Sequence, residues 1–274
     1  MGRRVRHAVR RPDDRGARSR RRQPRHRPRV RGVGQHRHGV GFPARRARAP
    51  ARSGAHSAYE AIEATVARRL LIVGAGGHGR AVADVAAATG WTLAGFIERA
   101  GPDAGPDIVG SDDDLSACVV RYAIDGAVVG VGNTALGRRV ELFERLRALG
   151  LALPTLVHPR AALSSSARLG AGCVVFPGAV LGAGVVVGDN VVVYSGAIVE
   201  HGCRLADHVY LSPAAVLAGE VCVEDGAFIG AGAIVVPRVT VGKQATVAAG
   251  AVVVHDVPAG ETVKGVPARG AGRS

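Results

Sequence analysis

From Val157 to Val253 an aliphatic residue returns every six positions without a miss: Val157, Leu163, Leu169, Val175, Leu181, Val187, Val193, Val199, Leu205, Leu211, Leu217, Val223, Ile229, Val235, Val241, Val247 and Val253. Four residues after each comes a small or β-branched one, among them Ala161, Cys173, Ala197, Cys203, Ala227 and Ala251. A strict period of this length is the mark of a parallel β-helix built from hexads. One hexad makes a short strand and a corner, and three make a triangular coil. Stacked coils align the aliphatic positions into an interior column. The 17 hexads predict between five and six coils. Contacts run only between neighbouring coils, and the filled interior leaves no room for a ligand, so function must sit on outer faces or in clefts between packed prisms.

Before the repeat the pattern is different. The continuous apolar run Leu70 to Val73 predicts a buried parallel strand. Gly74, Gly76 and Gly79 then match Gly-x-Gly-x-x-Gly and lead into a helix ending near Gly90. Such a loop lets a phosphate approach backbone N–H groups at a helix N-terminus. A second strand, "TLAGFI", ends at Glu98, about where a dinucleotide fold keeps its ribose-binding acid. A third lies in "DGAVVGVGN", with Gly132 at its end, before the helix "ALGRRVELFERLRALG" and the change of period at Pro154. Three strands make a half-size α/β unit, enough for a mononucleotide. His78 stands inside the glycine loop, either facing a ligand or as a solvated loop histidine. The divisions are a tail over 1–67, an α/β half-Rossmann domain over 68–154, an all-β helix over 155–258 and an extension over 259–274.

The net charge of +14 invites a nucleic-acid reading, and its distribution removes it. Residues 1–67 carry 19 Arg against Asp13, Asp14, Glu60 and Glu63, leaving 17 basic and 18 acidic side chains in the other 207 residues. The Arg- and Pro-rich tail has no apolar periodicity and is expected to be disordered, and no apolar stretch makes it a secretory signal. Met1 is the sole methionine, and the chain from Val66 reads as an ordinary bacterial N-terminus, so a misassigned start is the expected origin of the tail. No nucleic-acid partner is expected. Leu169 to Gly188 is free of charge for 20 residues, but its glycines and sixfold regularity argue against membrane insertion. Cys118, Cys173, Cys203 and Cys222 show no paired spacing and no metal is expected, which makes the cytoplasm the default.

One hexad carries chemistry. In "IVEHGC", Val199 and Cys203 hold the two inward registers, leaving Glu200, His201 and Gly202 between them and His201 facing outward near a corner.

The combination of "VGAGGHG", "SGAIVEHGC", "ADHVYLSP" and "VKGVPAR" resembles the bacterial sugar acetyltransferases of sialic-acid and bacillosamine-type biosynthesis, within the hexapeptide acyltransferase superfamily. The resemblance implies a homotrimer of left-handed parallel β-helices with active sites between subunits. Acetyl-CoA would lie along the cleft between prisms, and a nucleotide-linked amino sugar or sialic-acid-like sugar on the N-terminal domain. It implies substrate contacts at Gly76, Gly77, His78, Glu98, Arg99 and Gly132, acetyl-CoA contacts at Tyr210, Gly219, Ala231 and Ala249, and His201 as catalytic base. Histidine suits the task because imidazole titrates near neutrality and can take a proton from an attacking amine or hydroxyl. Three positions depart from the family pattern. Gly202 replaces an acid after the catalytic His, Tyr194-Ser195 stands where many members have Asn-Thr, and Tyr210 replaces a second His. His208 fits a structural role. Two other readings are a catalytically altered β-helical scaffold and a zinc enzyme of the γ-carbonic-anhydrase type, for which His158, His201, His208 and His255 would be the candidate ligands.

Overall fold

The computed structural model describes residues 68–99, 105 and 107–270. The expectations for residues 1–67 and for the last four residues of the extension lie outside the described residues.

The first part is a parallel sheet with helices on both faces. Its elements are β1 (Arg69–Val73), α1 (Gly77–Ala88), β2 (Thr92–Ile97), β3 (Ile108–Gly110), α2 (Leu115–Arg121), β4 (Gly126–Val129) and α3 (Leu136–Ala148). Strand order is β3-β2-β1-β4, all parallel. The sheet thus has four strands where the sequence pattern predicts three. The addition, β3, is only "IVG", too short to show a period. Leu70, Leu71, Ile72 and Val73 are all buried, as befits a central strand covered on both sides. In α1, Val82, Val85 and Ala86 form the buried stripe. The helix ends where the Thr89 hydroxyl donates to the Val85 and Ala86 carbonyls and Gly90 turns at φ +80°. In α3 the buried positions are Arg139, Leu142, Phe143 and Leu146, so an arginine occupies one place on an otherwise apolar face.

The rest is a triangular parallel β-helix of 17 two-residue strands, from Leu156–Val157 to Val252–Val253. They stack as sheets of five, six and eight strands, the last including the terminal strands Thr262–Lys264 and Arg269–Gly270. Every strand pairs with the one three hexads away, as Ile198 does with Val216 and Val199 with Leu217. The second residue of each pair and the small residue before the next strand fill the interior: Val199, Cys203, Leu217, Ala227 and Val247 are all fully buried. A buried aliphatic side chain contributes about 1.5–3 kcal/mol, repeated along the whole column. Cys173 and Cys203 are packing residues of this column.

The outward residues give the three sheets different fates. On the eight-stranded sheet Leu156, Val174, Val192 and Tyr210 are buried against the α/β part, in one cluster with Leu70, Ile72, Val82 and Val85. On the five-stranded sheet the outward residues are Arg168, Val186, Arg204, Cys222 and Thr240. On the six-stranded sheet they are Ala162, Val180, Ile198, Val216, Ile234 and Val252, an uncharged ladder along the prism. Val180 is 38% and Ile234 42% exposed.

Candidate active site

A cavity of about 590 Å3 opens between the glycine loop and the eight-stranded sheet. Its walls include Gly76, Gly77, His78, Glu98, Arg99 and Gly132, the six residues expected to contact substrate. The loop is shaped by close approach, since a β-carbon at Gly79 would overlap the Gly74 carbonyl oxygen and stand 3.2 Å from that of Gly130. Helix α1 starts with no side-chain cap and no acid in its first turn, so its first N–H groups remain available to an anion. Glu98 is committed to the loop itself: its carboxylate accepts from the Ala75 N–H at 2.9 Å and the Arg99 N–H at 3.0 Å. Asp112 and Arg138 form an ion pair on the wall.

His78 is half-buried and fully engaged rather than a solvated loop residue. Its Nδ1 lies 2.9 Å from the Tyr194 hydroxyl and its Nε2 3.4 Å from Arg139 Nη1. Phe176, Tyr194 and Tyr210 surround its ring with centroids at 6.0, 5.6 and 5.8 Å. Burial, reinforced by the adjacent guanidinium, pushes its pKa down to about 3. Tyr210, expected among the acetyl-CoA contacts, forms the inner wall of this cavity beside Tyr194. Burial raises its phenol pKa.

Below the wall is a residue that motif reading passed over. Arg139 is 1% exposed. Its Nη1 donates to the carbonyls of Val131 (2.7 Å) and Val129 (3.3 Å), and its Nη2 to Asn190 Oδ1 (2.9 Å) and Asn190 O (3.3 Å). Among the described residues no carboxylate pairs with it, and its buried Nε has no partner. Burial lowers its pKa to about 10, which leaves it charged at neutral pH. Asn190 Nδ2 in turn reaches His208 Nδ1 at 3.0 Å. His208 therefore serves the join between α3 and the β-helix, and burial lowers its pKa. The sequence signal for Arg139 is its place in the i, i+3, i+4, i+7 row with Leu142, Phe143 and Leu146.

His201 lies elsewhere. It is exposed at the corner between the six- and five-stranded sheets, and it is not among the residues lining the cavity. Its ring sits against Gly219, the matching corner residue one coil on: a β-carbon there would stand 2.8 Å from Nε2. Ala231 and Ala249 are exposed at corners between the eight- and six-stranded sheets. The uncharged ladder thus has His201 and Gly219 along one edge and Ala231 and Ala249 along the other. Gly202 has φ +69°, in the left-handed position that recurs every six residues, as at Gly196 and His208. Among the described residues no cluster of three His, Cys, Asp or Glu is placed to hold a metal, and no helix is long and apolar enough to cross a membrane.

Residues 69–146 match the family model described as PglD N-terminal domain. A search of curated proteins returns no match. Among solved structures, PerB from Caulobacter crescentus in complex with CoA and GDP-perosamine is 36% identical, with a TM-score of 0.70, covering 74% of this chain and 97% of that one. The acetyltransferase domain of PglB from Neisseria gonorrhoeae in complex with acetyl coenzyme A is 38% identical, with a TM-score of 0.69, covering 75% and 100%. WeeI from Acinetobacter baumannii, at 24% identity and a TM-score of 0.64 over 74% and 99%, shares the fold. An α/β glycine-loop domain joined to a hexad prism, matched along nearly the whole length of such relatives, makes this chain a member of the bacterial sugar acetyltransferases of the hexapeptide-repeat superfamily.

Proposed function

We propose that this acyltransferase moves the acetyl group of acetyl-CoA to the amine of a nucleotide-linked amino sugar, with His201 as general base. Support for an amine acceptor comes from a 35% identical relative, the GDP-perosamine N-acetyltransferase from Caulobacter crescentus. Support for acetyl-CoA as donor comes from the complex of the 38% identical PglB domain. The nucleotide occupies the glycine-loop cavity, against Gly76, Gly77, His78, Glu98, Arg99 and Gly132. The acetyl donor runs along the prism past Gly219, Ala231 and Ala249.

The observation that carries the reading is that His201 and the cavity lie apart in one chain, with an unpartnered apolar face beside His201. A homotrimer packed through that face sets the His201 edge of one prism against the opposite edge of its neighbour and completes the site between them. In the reaction the sugar nitrogen attacks the thioester carbonyl while His201 accepts its proton. The C–N bond forms, the C–S bond breaks, and the proton passes to the departing thiolate to give free CoA. No covalent enzyme intermediate is needed.

The test is incubation of the purified protein with acetyl-CoA and a panel of nucleotide-linked amino sugars, following thiol release. Turnover of at least one substrate, lowered roughly 10²- to 10⁴-fold by His201→Ala, is expected. No thiol release with any acceptor would favour a scaffold that has lost activity, and near-wild-type turnover of the variant would remove His201 from the mechanism.

A further inference from the structure

The hydrogen-bond chain through His78 has a direction. Arginine only donates, so His78 Nε2, 3.4 Å from Arg139 Nη1, can meet it only as an acceptor, sharing the two Nη1 hydrogens with the Val131 and Val129 carbonyls. The neutral ring then carries its proton on Nδ1 and donates it to the Tyr194 hydroxyl oxygen. With one lone pair of that oxygen filled from His78, its own proton has to go elsewhere. Either it points into the cavity, or it passes to Tyr210 beside it and the Tyr210 proton is left over. Both phenols line the cavity, and their rings are 5.8 Å apart.

We propose that Arg139 and His78 are positioning residues that polarise the Tyr194–Tyr210 pair into a fixed hydrogen-bond donor, which the substrate meets with an acceptor oxygen. The low pKa of His78 agrees with this, because a ring that stays neutral across the working pH range can keep an accepting nitrogen toward a guanidinium. The buried Arg139 is itself anchored by backbone carbonyls and Asn190 on both sides of the join, so the chain starts from a fixed point. A fixed donor selects for ligands with an oxygen acceptor at this depth and against those that present N–H or O–H there, since two donors facing each other leave a buried polar group unpaired. The inference rests on the nucleotide-sugar reading for its ligand but not for its geometry.

Two measurements test it. In ¹⁵N-histidine-labelled protein without ligand, long-range ¹H–¹⁵N correlation of His78 is expected to show the neutral Nδ1–H tautomer, and an Nε2–H tautomer would overturn the relay. Calorimetric titration with GDP and UDP, and KM for any amino sugar turned over, then locate the acceptor. Tyr194→Phe and Tyr210→Phe are each compared with wild type, and a loss of roughly 3- to 10-fold in at least one of them is expected. A loss with the free nucleotides places the donor on phosphate, and a loss confined to KM for the sugar places it on the sugar. No change in either variant with any ligand would overturn the proposal. Arg139→Lys should retain the Nδ1–H tautomer that Arg139→Met loses, which separates positioning from general support of the fold. If Arg139→Met does not fold, the wild-type spectrum and the tyrosine variants decide. The spectrum is read without acetyl-CoA, so it stands or falls apart from acetyl transfer.

Discussion

His201 rests on the bare α-carbon of Gly219, one coil further along the prism: a β-carbon at 219 would stand 2.8 Å from His201 Nε2 and closer still to Cε1. The glycine is therefore part of the seat of the imidazole. Gly219→Ala displaces the ring and is expected to lower kcat by roughly 10²-fold, the scale set by misplacement of a reacting group. Its φ lies outside the left-handed region, so urea denaturation should change by less than about 0.5 kcal/mol. Unchanged kcat would show that the ring works from another rotamer.

Gly202 answers to the backbone. At φ +69° it occupies a corner position that L residues, such as Asn190 at φ 53°, also fill. Gly202→Ala should cost about 1 kcal/mol, and Gly202→Asn less, because Asn tolerates this conformation. Chemical denaturation of the two variants checks the order. Equal losses would instead locate the cost in crowding against Glu220 Cγ, 3.3 Å from the added carbon.

Ile234 stands in the uncharged ladder and is 42% exposed, so a charge there is tolerated by the single prism and not by a packed one. Ile234→Asp is expected to convert a trimer to monomers in analytical ultracentrifugation and to reduce kcat/KM by at least roughly 10-fold, since the proposed site is completed across that face. A variant that remains trimeric would move the interface to another face.

The depressed pKa of His78 makes stability fall on acidification. Between 6.5, its ordinary value, and about 3, the unfolded chain binds a proton at this position that the folded chain does not, so unfolding gains favour as pH drops through that window. His208, also lowered, acts with the same sign. In His78→Gln the slope of unfolding free energy against pH between about 6 and 4 should be shallower by up to one proton. An identical slope would mean that His78 protonates in the folded state.

The prism was legible because its period is a direct consequence of its geometry: each six-residue step must put one aliphatic residue inside, and Val199 and Cys203 kept that register around His201. The glycine loop was legible for a similar reason, since Gly79 has no room for a side chain. The short strand β3 was not, because three residues show no period. Arg139 was hidden by its company, a charged residue in the apolar row of α3 whose partners His78 and Asn190 come from distant parts of the chain.

The amino-acid sequence by itself thus determined the two architectures, the inward registers of the prism and the outward placement of His201, all of which follow from local spacing and excluded volume. Only the tertiary structure decided which outer sheet the α/β domain covers and which stays apolar and open. It also joined His78 to Tyr194 and Arg139 and carried Tyr210 into the glycine-loop cavity. Those relationships depend on how one domain docks against the other, and docking is fixed by complementary surfaces and buried polar contacts between residues far apart in the chain, on which a repeat period has no bearing.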